Sequence, residues 1–477
     1  MRFSANQRLC LPTRRDVLIA AGLGMLSPWL ARGVQADPLP AFPSGFLWGT
    51  STSALQIEGA TTEDGRGASI WESFAGRPGA IADGTTPAIA CDHYHRWADD
   101  VALMKSAGFG AYRFSIAWPR VQPTGRGPVN SRGLDFYDRL VDALLEAGIR
   151  PMPCLYHWDL PQALQDQGGW MNRDMAGWFA DYAGIAAGRL GDRVKDWFAL
   201  NEPSVVAIFG HGYGEHAPGL NGGRTAALAA SHHQNLAQGA ALRALRAESA
   251  DFRLGTVLSL QPVVPVSDSE ADRAATTRWD ALWNRVALDG VMRGQLPDVL
   301  ADDLRPWVKP GDLELIRFPL DRLGVNYYSQ LHIQHQPGRL FDAGFGPLPP
   351  GPVTAMGWPI EPEGLGRVLG ELRTLYGNPE VMVTENGVAC DDLPGPDGQI
   401  DDRQRIAYLD GHLRVVAAAL AAGSRVTGYL AWSLLDNWEW QCGYARRFGL
   451  VHVDYPSQRR TPKASFAWLK AAAAGKA

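Results

Sequence analysis

The sequence is poor in cysteine: five residues in 477, at positions 10, 91, 154, 390 and 442, with no Cys-x-x-Cys pair among them. That spacing argues against zinc ribbons and thioredoxin-like redox sites. Cys91, Cys154, Cys390 and Cys442 are expected to be four free or buried thiols, since sequence separation says nothing about whether two sulfurs can meet. Cys154, inside an apolar run, is expected to be inert core. His-Glu-x-x-His is absent, and His93-x-His95 has no third ligand at a suitable spacing. Neither a metal nor another cofactor is therefore expected, and the two histidines should make structural hydrogen bonds. Charge of one sign is lacking too. Lys and Arg number 45 against 50 Asp and Glu, for a net charge of −5, with no basic run beyond the N-terminus. Nothing there points to a nucleic-acid partner. No stretch reaches the roughly 18 unbroken apolar residues that a membrane helix needs.

The N-terminus carries a different signal. Arg14-Arg15 precedes an apolar run from Val17 to Leu26, and Val34-Gln35-Ala36 offers small residues for cleavage after Ala36. Residues 1–36 resemble a twin-arginine export signal, a general secretory signal being the alternative. The mature chain, 37–477, is expected to be exported and free of the membrane. The composition leaves its oligomeric state open.

What remains is rich in pattern. Short β-prone runs fall at Phe46–Ser51, Ala111–Ala117, Arg150–Tyr156, Asp196–Leu200, Leu254–Pro262, Arg322–Tyr328, Glu380–Thr384 and Val426–Ser433. Amphipathic stretches lie between them, at Leu134–Ala147, Met175–Leu190, Thr225–Glu248, Gly364–Tyr376 and Asp401–Ala422. In the last, Ile406, Leu409, Leu413 and Val416 recur every three or four residues before Gly423. Eight strands alternating with helices predict an α/β fold: a single-domain (β/α)8 barrel. Pro337–Pro352 and Asp391–Gln399 read as long βα loops.

Many strands end in polar or aromatic residues that a buried strand interior would not use. Gln56 and Glu58 follow the first, and Arg113 lies in the second. His157-Trp158 closes the third, Asn201-Glu202 the fourth, Asn326-Tyr327-Tyr328 the sixth and Glu385-Asn386 the seventh. The eighth leads through Trp432 to Trp440. Barrel enzymes carry their chemistry at the C-terminal ends of the strands. Seven such ends describe one polar, aromatic pocket. The 17 tryptophans are expected mostly in the core, though a flat apolar face with an N–H donor also suits a sugar ring. His232, His233, Asn235 and Gln238 are expected to be helix polar groups, one of which could reach the pocket edge.

Glu202 and Glu385, at the ends of the fourth and seventh strands, could meet across that pocket. Two carboxyl groups are what hydrolysis of a glycosidic bond requires, about 5–5.5 Å apart when configuration is retained. Arg113 could keep one of them ionised.

The ordered motifs are specific. They are Phe42-Pro43, Gln56-Ile57-Glu58-Gly59, Cys91-Asp92-His93-Tyr94-His95-Arg96, Tyr112-Arg113-Phe114-Ser115 and Tyr156-His157-Trp158-Asp159-Leu160-Pro161. Then come Asn201-Glu202-Pro203, Asn326-Tyr327-Tyr328, Thr384-Glu385-Asn386-Gly387, Trp432 through Trp440 and Arg447-Phe448-Gly449. In this order, from about Phe42 to Lys463, the chain resembles glycoside hydrolase family 1. The resemblance implies a retaining exo-β-glycosidase, foremost a β-glucosidase, acting on a small β-glycoside or oligosaccharide. It implies Glu202 as acid/base and Glu385 as nucleophile, with Arg113 and Tyr328 stabilising the nucleophile's charge. Gln56, His157, Trp158, Asn201, Asn326, Glu439 and Trp440 would hold the sugar. Trp432 would be its apolar floor, Trp358 would flank the leaving group, and Phe448 would also bind substrate. A carboxylate at Glu439 can accept from two sugar hydroxyls and would repel a 6-phosphate. Departures from the family pattern at Ala199, Pro359, Glu361, Trp438 and Cys442 touch neither carboxylate. A mainly transglycosylating enzyme would use the same pocket, and a non-catalytic sugar-binding barrel would be expected to lack one carboxylate.

Overall fold

The computed structural model describes residues 38–477, so the expected export signal, residues 1–36, lies outside the described residues. Eight parallel strands close into a barrel: β1 (Leu47–Ser51), β2 (Ala111–Ser115), β3 (Arg150–Tyr156), β4 (Asp196–Asn201), β5 (Arg253–Ser259), β6 (Arg322–Asn326), β7 (Val381–Asn386) and β8 (Val426–Trp432). They pair in sequence order, and β1 meets β8 with Leu47 opposite Gly428. Eight helices follow them in turn: α1 (His93–Ala107), α2 (Ser131–Glu146), α3 (Met175–Leu190), α4 (Gly223–Glu248), α5 (Glu270–Asp280), α6 (Pro362–Leu375), α7 (Arg403–Ala421) and α8 (Ala464–Ala473). The (β/α)8 expectation holds.

The sequence dictates this arrangement locally. Every residue of β2, β4, β6 and β7 is buried, as strands covered on both faces must be. Inside the barrel, Ala111, Met152, Cys154, Phe198, Val257, Met382 and Leu430 form a filled plug. The helices seal the outside; α2 buries Leu134, Tyr137, Leu140, Val141 and Leu144 at helical spacing. At the N-terminal end of the barrel, Arg322 bridges Asp196 at 2.8 Å and Glu380 at 2.9 Å, and Arg253 also pairs with Glu380. Far from the strands' C-terminal ends, that network serves stability.

Three expectations needed revision. The fifth strand stops at Ser259, and Val263–Pro265 begins a separate strand; Pro262 between them has no N–H to donate to the ladder. Val263–Pro265 pairs with Leu331–His335, which pairs in turn with Ala343–Phe345. Part of the segment read as a loop from Pro337 is thus the return strand of a hairpin. The second and sixth strands end at Ser115 and Asn326, two residues early, where the backbone leaves the ladder to turn over the barrel mouth.

Cys91, Cys154 and Cys390 are buried free thiols. Cys442, also buried, departs from expectation in being disulfide-bonded. His93 pairs with Asp100 at 2.7 Å, and His95 with Asp92 and Glu63. Among the described residues no cluster of His, Cys, Asp and Glu is arranged to hold a metal, and no helix is long and apolar enough to cross a membrane.

Candidate active site

Beyond Asn201, the last residue of β4, the backbone turns sharply: Glu202 has φ of 50°, and Pro203 opens a short helix behind it. Trp158 and Trp440 also lie in the left-handed region, with φ of 77° and 51°. Side chains with a Cβ adopt that conformation at a cost, and it concentrates where a residue must be aimed. All three line one cavity of about 430 Å³ at the C-terminal ends of the strands. Glu385, from β7, lines the same cavity, as do His157, Tyr328, Trp358, Trp432, Glu439 and Phe448.

The two catalytic candidates have different surroundings. Arg113 Nη1 donates to Glu385 Oε1 at 2.7 Å, and the Tyr328 hydroxyl donates to Oε2 at 2.7 Å. Both oxygens of Glu385 therefore accept from strong donors, and Arg113 lies wholly buried beneath it. Glu202 Oε1 accepts from Asn326 Nδ2 at 2.8 Å, a neutral amide. The Asn326 Oδ1 in turn accepts from the Thr384 hydroxyl at 2.7 Å.

Electrostatics follow the geometry. Burial, and then the charge of Glu385, push Glu202 up to about 8. Burial also raises Glu385, but Arg113 and Tyr328 pull against it. When one proton is shared between them, Glu202 holds it. Burial and the nearby Arg113 push His157 well below the usual histidine range, so it is neutral. Its Nε2 then accepts from Asn201 Nδ2 at 3.1 Å.

Arg113, Gln56, Asn201 and Asn326 do not form the cavity wall. They stand immediately behind it and fix the groups that do. Asn201 Oδ1 accepts from Arg113 Nη2 and from Asn326 Nδ2. Gln56 Nε2 donates to Glu439 Oε2 at 3.1 Å, with the Ser53 hydroxyl holding Gln56 Oε1 at 2.7 Å. Glu439 is itself raised to about 8, chiefly by burial. The negative charge expected there thus depends on sugar hydroxyls donating to it. Trp440 packs between Trp71 and Trp158, with ring centroids at 4.7 and 4.5 Å. Trp432 stacks on His157, and Tyr328, Trp358 and Phe448 form an aromatic corner.

Sequence reasoning missed the outer part of the cavity: Phe209, His216, Trp283, His332, Phe345 and Leu348. Phe209 and Trp283 come from the short helical segments Val206–Gly212 and Ala281–Arg285, His216 and Leu348 from loops, and His332 and Phe345 from the unforeseen hairpin. The β-alternation of Leu331-His332-Ile333-Gln334-His335 was the one available signal. The polar residues of α4 do not reach the cavity. His232 bonds Asp312, His233 the Trp170 carbonyl and Asn235 the Val286 carbonyl.

The family model for glycosyl hydrolase family 1 matches residues 39–477, the whole of the barrel just described. The chain belongs to glycosyl hydrolase family 1. It is a glycoside hydrolase, and its relatives in the family are similar along their full length. Beta-glucosidase A of Thermotoga maritima is 43% identical over 431 residues, covering 90% of this chain and 96% of the relative. A bifunctional beta-D-glucosidase/beta-D-fucosidase of Bifidobacterium breve is 46% identical over 455 residues, covering 90% and 97%. Among solved structures, the psychrophilic beta-glucosidase of Micrococcus antarcticus superposes with a TM-score of 0.88 at 45% identity, covering 92% of this chain and 98% of that one. The Thermotoga maritima beta-glucosidase in complex with glucoimidazole superposes with a TM-score of 0.87 at 42% identity, covering 91% and 99%.

Proposed function

We propose that this family member is a retaining exo-β-glucosidase, with Glu385 as nucleophile and Glu202 as acid/base. The observation that carries this reading is the asymmetry of the two carboxyl groups that line one cavity. Glu385 is gripped by Arg113 and Tyr328, while Glu202 receives only the Asn326 amide and is held protonated by burial.

In the first displacement the Glu385 carboxylate attacks the anomeric carbon. The glycosidic C–O bond breaks, and the Glu202 proton goes to the departing oxygen. Glu385, now an ester, no longer carries the charge that helped raise Glu202, so the acidity of Glu202 increases. The deprotonated Glu202 then takes a proton from water, whose oxygen attacks the same carbon and frees Glu385. Configuration is retained because it inverts twice.

The glucose preference is supported by relatives named as beta-glucosidases and by Glu439, backed by Gln56, as a paired acceptor for two hydroxyls. The Bifidobacterium breve relative's name adds a fuco-configured sugar to those worth assaying. A galacto-configured sugar belongs in the same assay. Transfer to an alcohol or sugar in place of water uses the same ester intermediate. A panel of p-nitrophenyl glycosides on the purified mature protein tests the reading. The β-glucoside should be turned over with retention, and Glu385→Ala should abolish turnover. Full activity in that variant overturns it.

Export of the folded chain belongs to the same proposal, on the strength of Arg14-Arg15 and the apolar run that follows. Replacing both arginines with lysine should leave the enzyme in the cytoplasmic fraction. Unchanged export would refute the twin-arginine reading.

A further inference from the structure

Tyr328 supplies one of the two strong donors to Glu385, yet it lies two residues beyond the end of β6, outside the barrel ladder. Its backbone is held instead from α7, on the outside of the barrel. The Tyr408 hydroxyl donates to the Tyr328 carbonyl at 3.0 Å and accepts from Asn386 Nδ2 at 3.1 Å. Asn386 follows Glu385 directly in β7, so one hydroxyl ties the neighbour of Glu385 to the backbone of Tyr328.

The direction of these bonds is fixed. Asn386 Nδ2 also donates to the Tyr327 carbonyl at 2.7 Å, while its Oδ1 accepts from the Tyr429 hydroxyl at 2.5 Å. An amide nitrogen only donates, so the Tyr408 oxygen accepts there and its single hydrogen is left for Tyr328. Tyr408 is buried, and burial raises it far above the usual tyrosine range, so that hydrogen stays in place. Its ring is fixed as well. It stacks on His412 with centroids 3.9 Å apart and packs with Val388 and Cys390 in a small buried cluster behind the exit of β7.

On the reading of Glu385 as nucleophile, we propose that Tyr408 is a positioning residue that acts through the Tyr328 backbone to keep the Tyr328 hydroxyl aimed at Glu385. Tyr408 does not line the cavity, so it reaches the reaction only through these bonds.

Tyr408→Phe removes the hydroxyl and keeps the ring, and it leaves the buried Tyr328 carbonyl without that donor. The other titratable groups that face Glu385 are unaltered: Arg113 from β2, Cys154 from β3, Glu202 beyond β4 and Glu439 beyond β8. In kcat/KM profiles on an aryl β-glucoside, the acidic limb should rise by about 0.5 unit, roughly a threefold change in ionisation and less than Tyr328→Phe gives. In the double variant with Tyr328→Phe the limb should coincide with that of Tyr328→Phe alone, because no Tyr328 hydroxyl is left to aim. Tyr429→Phe takes the other hydroxyl from Asn386 without a bond to Tyr328, and it should leave the limb in place whatever it does to Tm. A Tyr408→Phe enzyme with a lowered Tm and an unmoved limb overturns the proposal. So does a limb moved equally by Tyr429→Phe, or a shift that adds in full to that of Tyr328→Phe. None of these outcomes touches the nucleophile reading, which fails instead if Glu385→Ala retains turnover.

Discussion

Removal of the Tyr328 hydroxyl, in Tyr328→Phe, takes one of two strong donors from Glu385. The hydroxyl lies 2.7 Å from Oε2, and the other oxygen stays with Arg113 at 2.7 Å. A hydrogen bond to a charged, buried group contributes about 1.5–3 kcal/mol. One pKa unit corresponds to roughly 1.4 kcal/mol. The donor stabilises the ionised form, so it lowers the pKa of Glu385, and its loss should raise that pKa by about 1–2 units. Because Glu385 must be ionised to attack, the acidic limb of the kcat/KM profile moves to higher pH by that amount. Burial and the neighbouring carboxylates push Tyr328 itself far above the usual tyrosine range, so it remains a donor throughout the assay. The alkaline limb, set by protonation of Glu202 near 8, should stay in place, and the bell narrows from one side. The assay is hydrolysis of an aryl β-glucoside by both proteins at constant ionic strength. Uniform loss of activity with an unmoved acidic limb would refute the reasoning, for it would reduce Tyr328 to a spacer.

Other predictions follow from the same geometry. Glu202→Ala should slow substrates with poor leaving groups far more than p-nitrophenyl β-glucoside; an equal loss on both, measured as kcat/KM, would argue against an acid role. Glu439→Gln exchanges a carboxylate acceptor for an amide. It should cut kcat/KM on the glucoside by roughly 10–100-fold, the equivalent of one charge-assisted hydrogen bond. A loss within twofold would remove Glu439 from sugar recognition. Arg322→Ala takes from Asp196 its nearest cation at the barrel's closed end, while Glu380 keeps Arg253. Breaking a buried pair on one side costs roughly 3–5 kcal/mol. Thermal unfolding monitored by circular dichroism should show Tm falling by several degrees, and an unchanged Tm would contradict the stabilising role.

The sequence made the barrel and the inner site legible for one physical reason. Strand ends in a (β/α)8 barrel must converge, so polar residues at Glu202, Asn326 and Glu385 reveal a common pocket once the strands are counted. Their division of labour was legible only in part. Arg113 and Tyr328 were expected at Glu385, but the Asn326 amide at Glu202 depends on Thr384 orienting Asn326, which no spacing reveals. Gln56 and Asn201, expected as sugar contacts, stand behind the cavity wall and brace Glu439, Arg113 and His157. The outer cavity stayed hidden because its residues come from connections whose course depends on tertiary contacts. The hairpin bearing Phe345 was read as loop, since a three-residue strand carries too little alternation to register. Pro262 ended the fifth strand earlier than its apolar run suggested.

The central claim is that Glu385 forms the covalent bond to sugar. Incubation of the mature enzyme with a 2-deoxy-2-fluoro-β-glucoside bearing a good leaving group should trap that ester, because the fluorine slows both steps while the good leaving group keeps formation faster than breakdown. Peptide mass spectrometry should then place one fluoroglucosyl group on Glu385, with none formed in Glu385→Ala. A label on Glu202 or Glu439, or undiminished turnover without Glu385, would contradict the account.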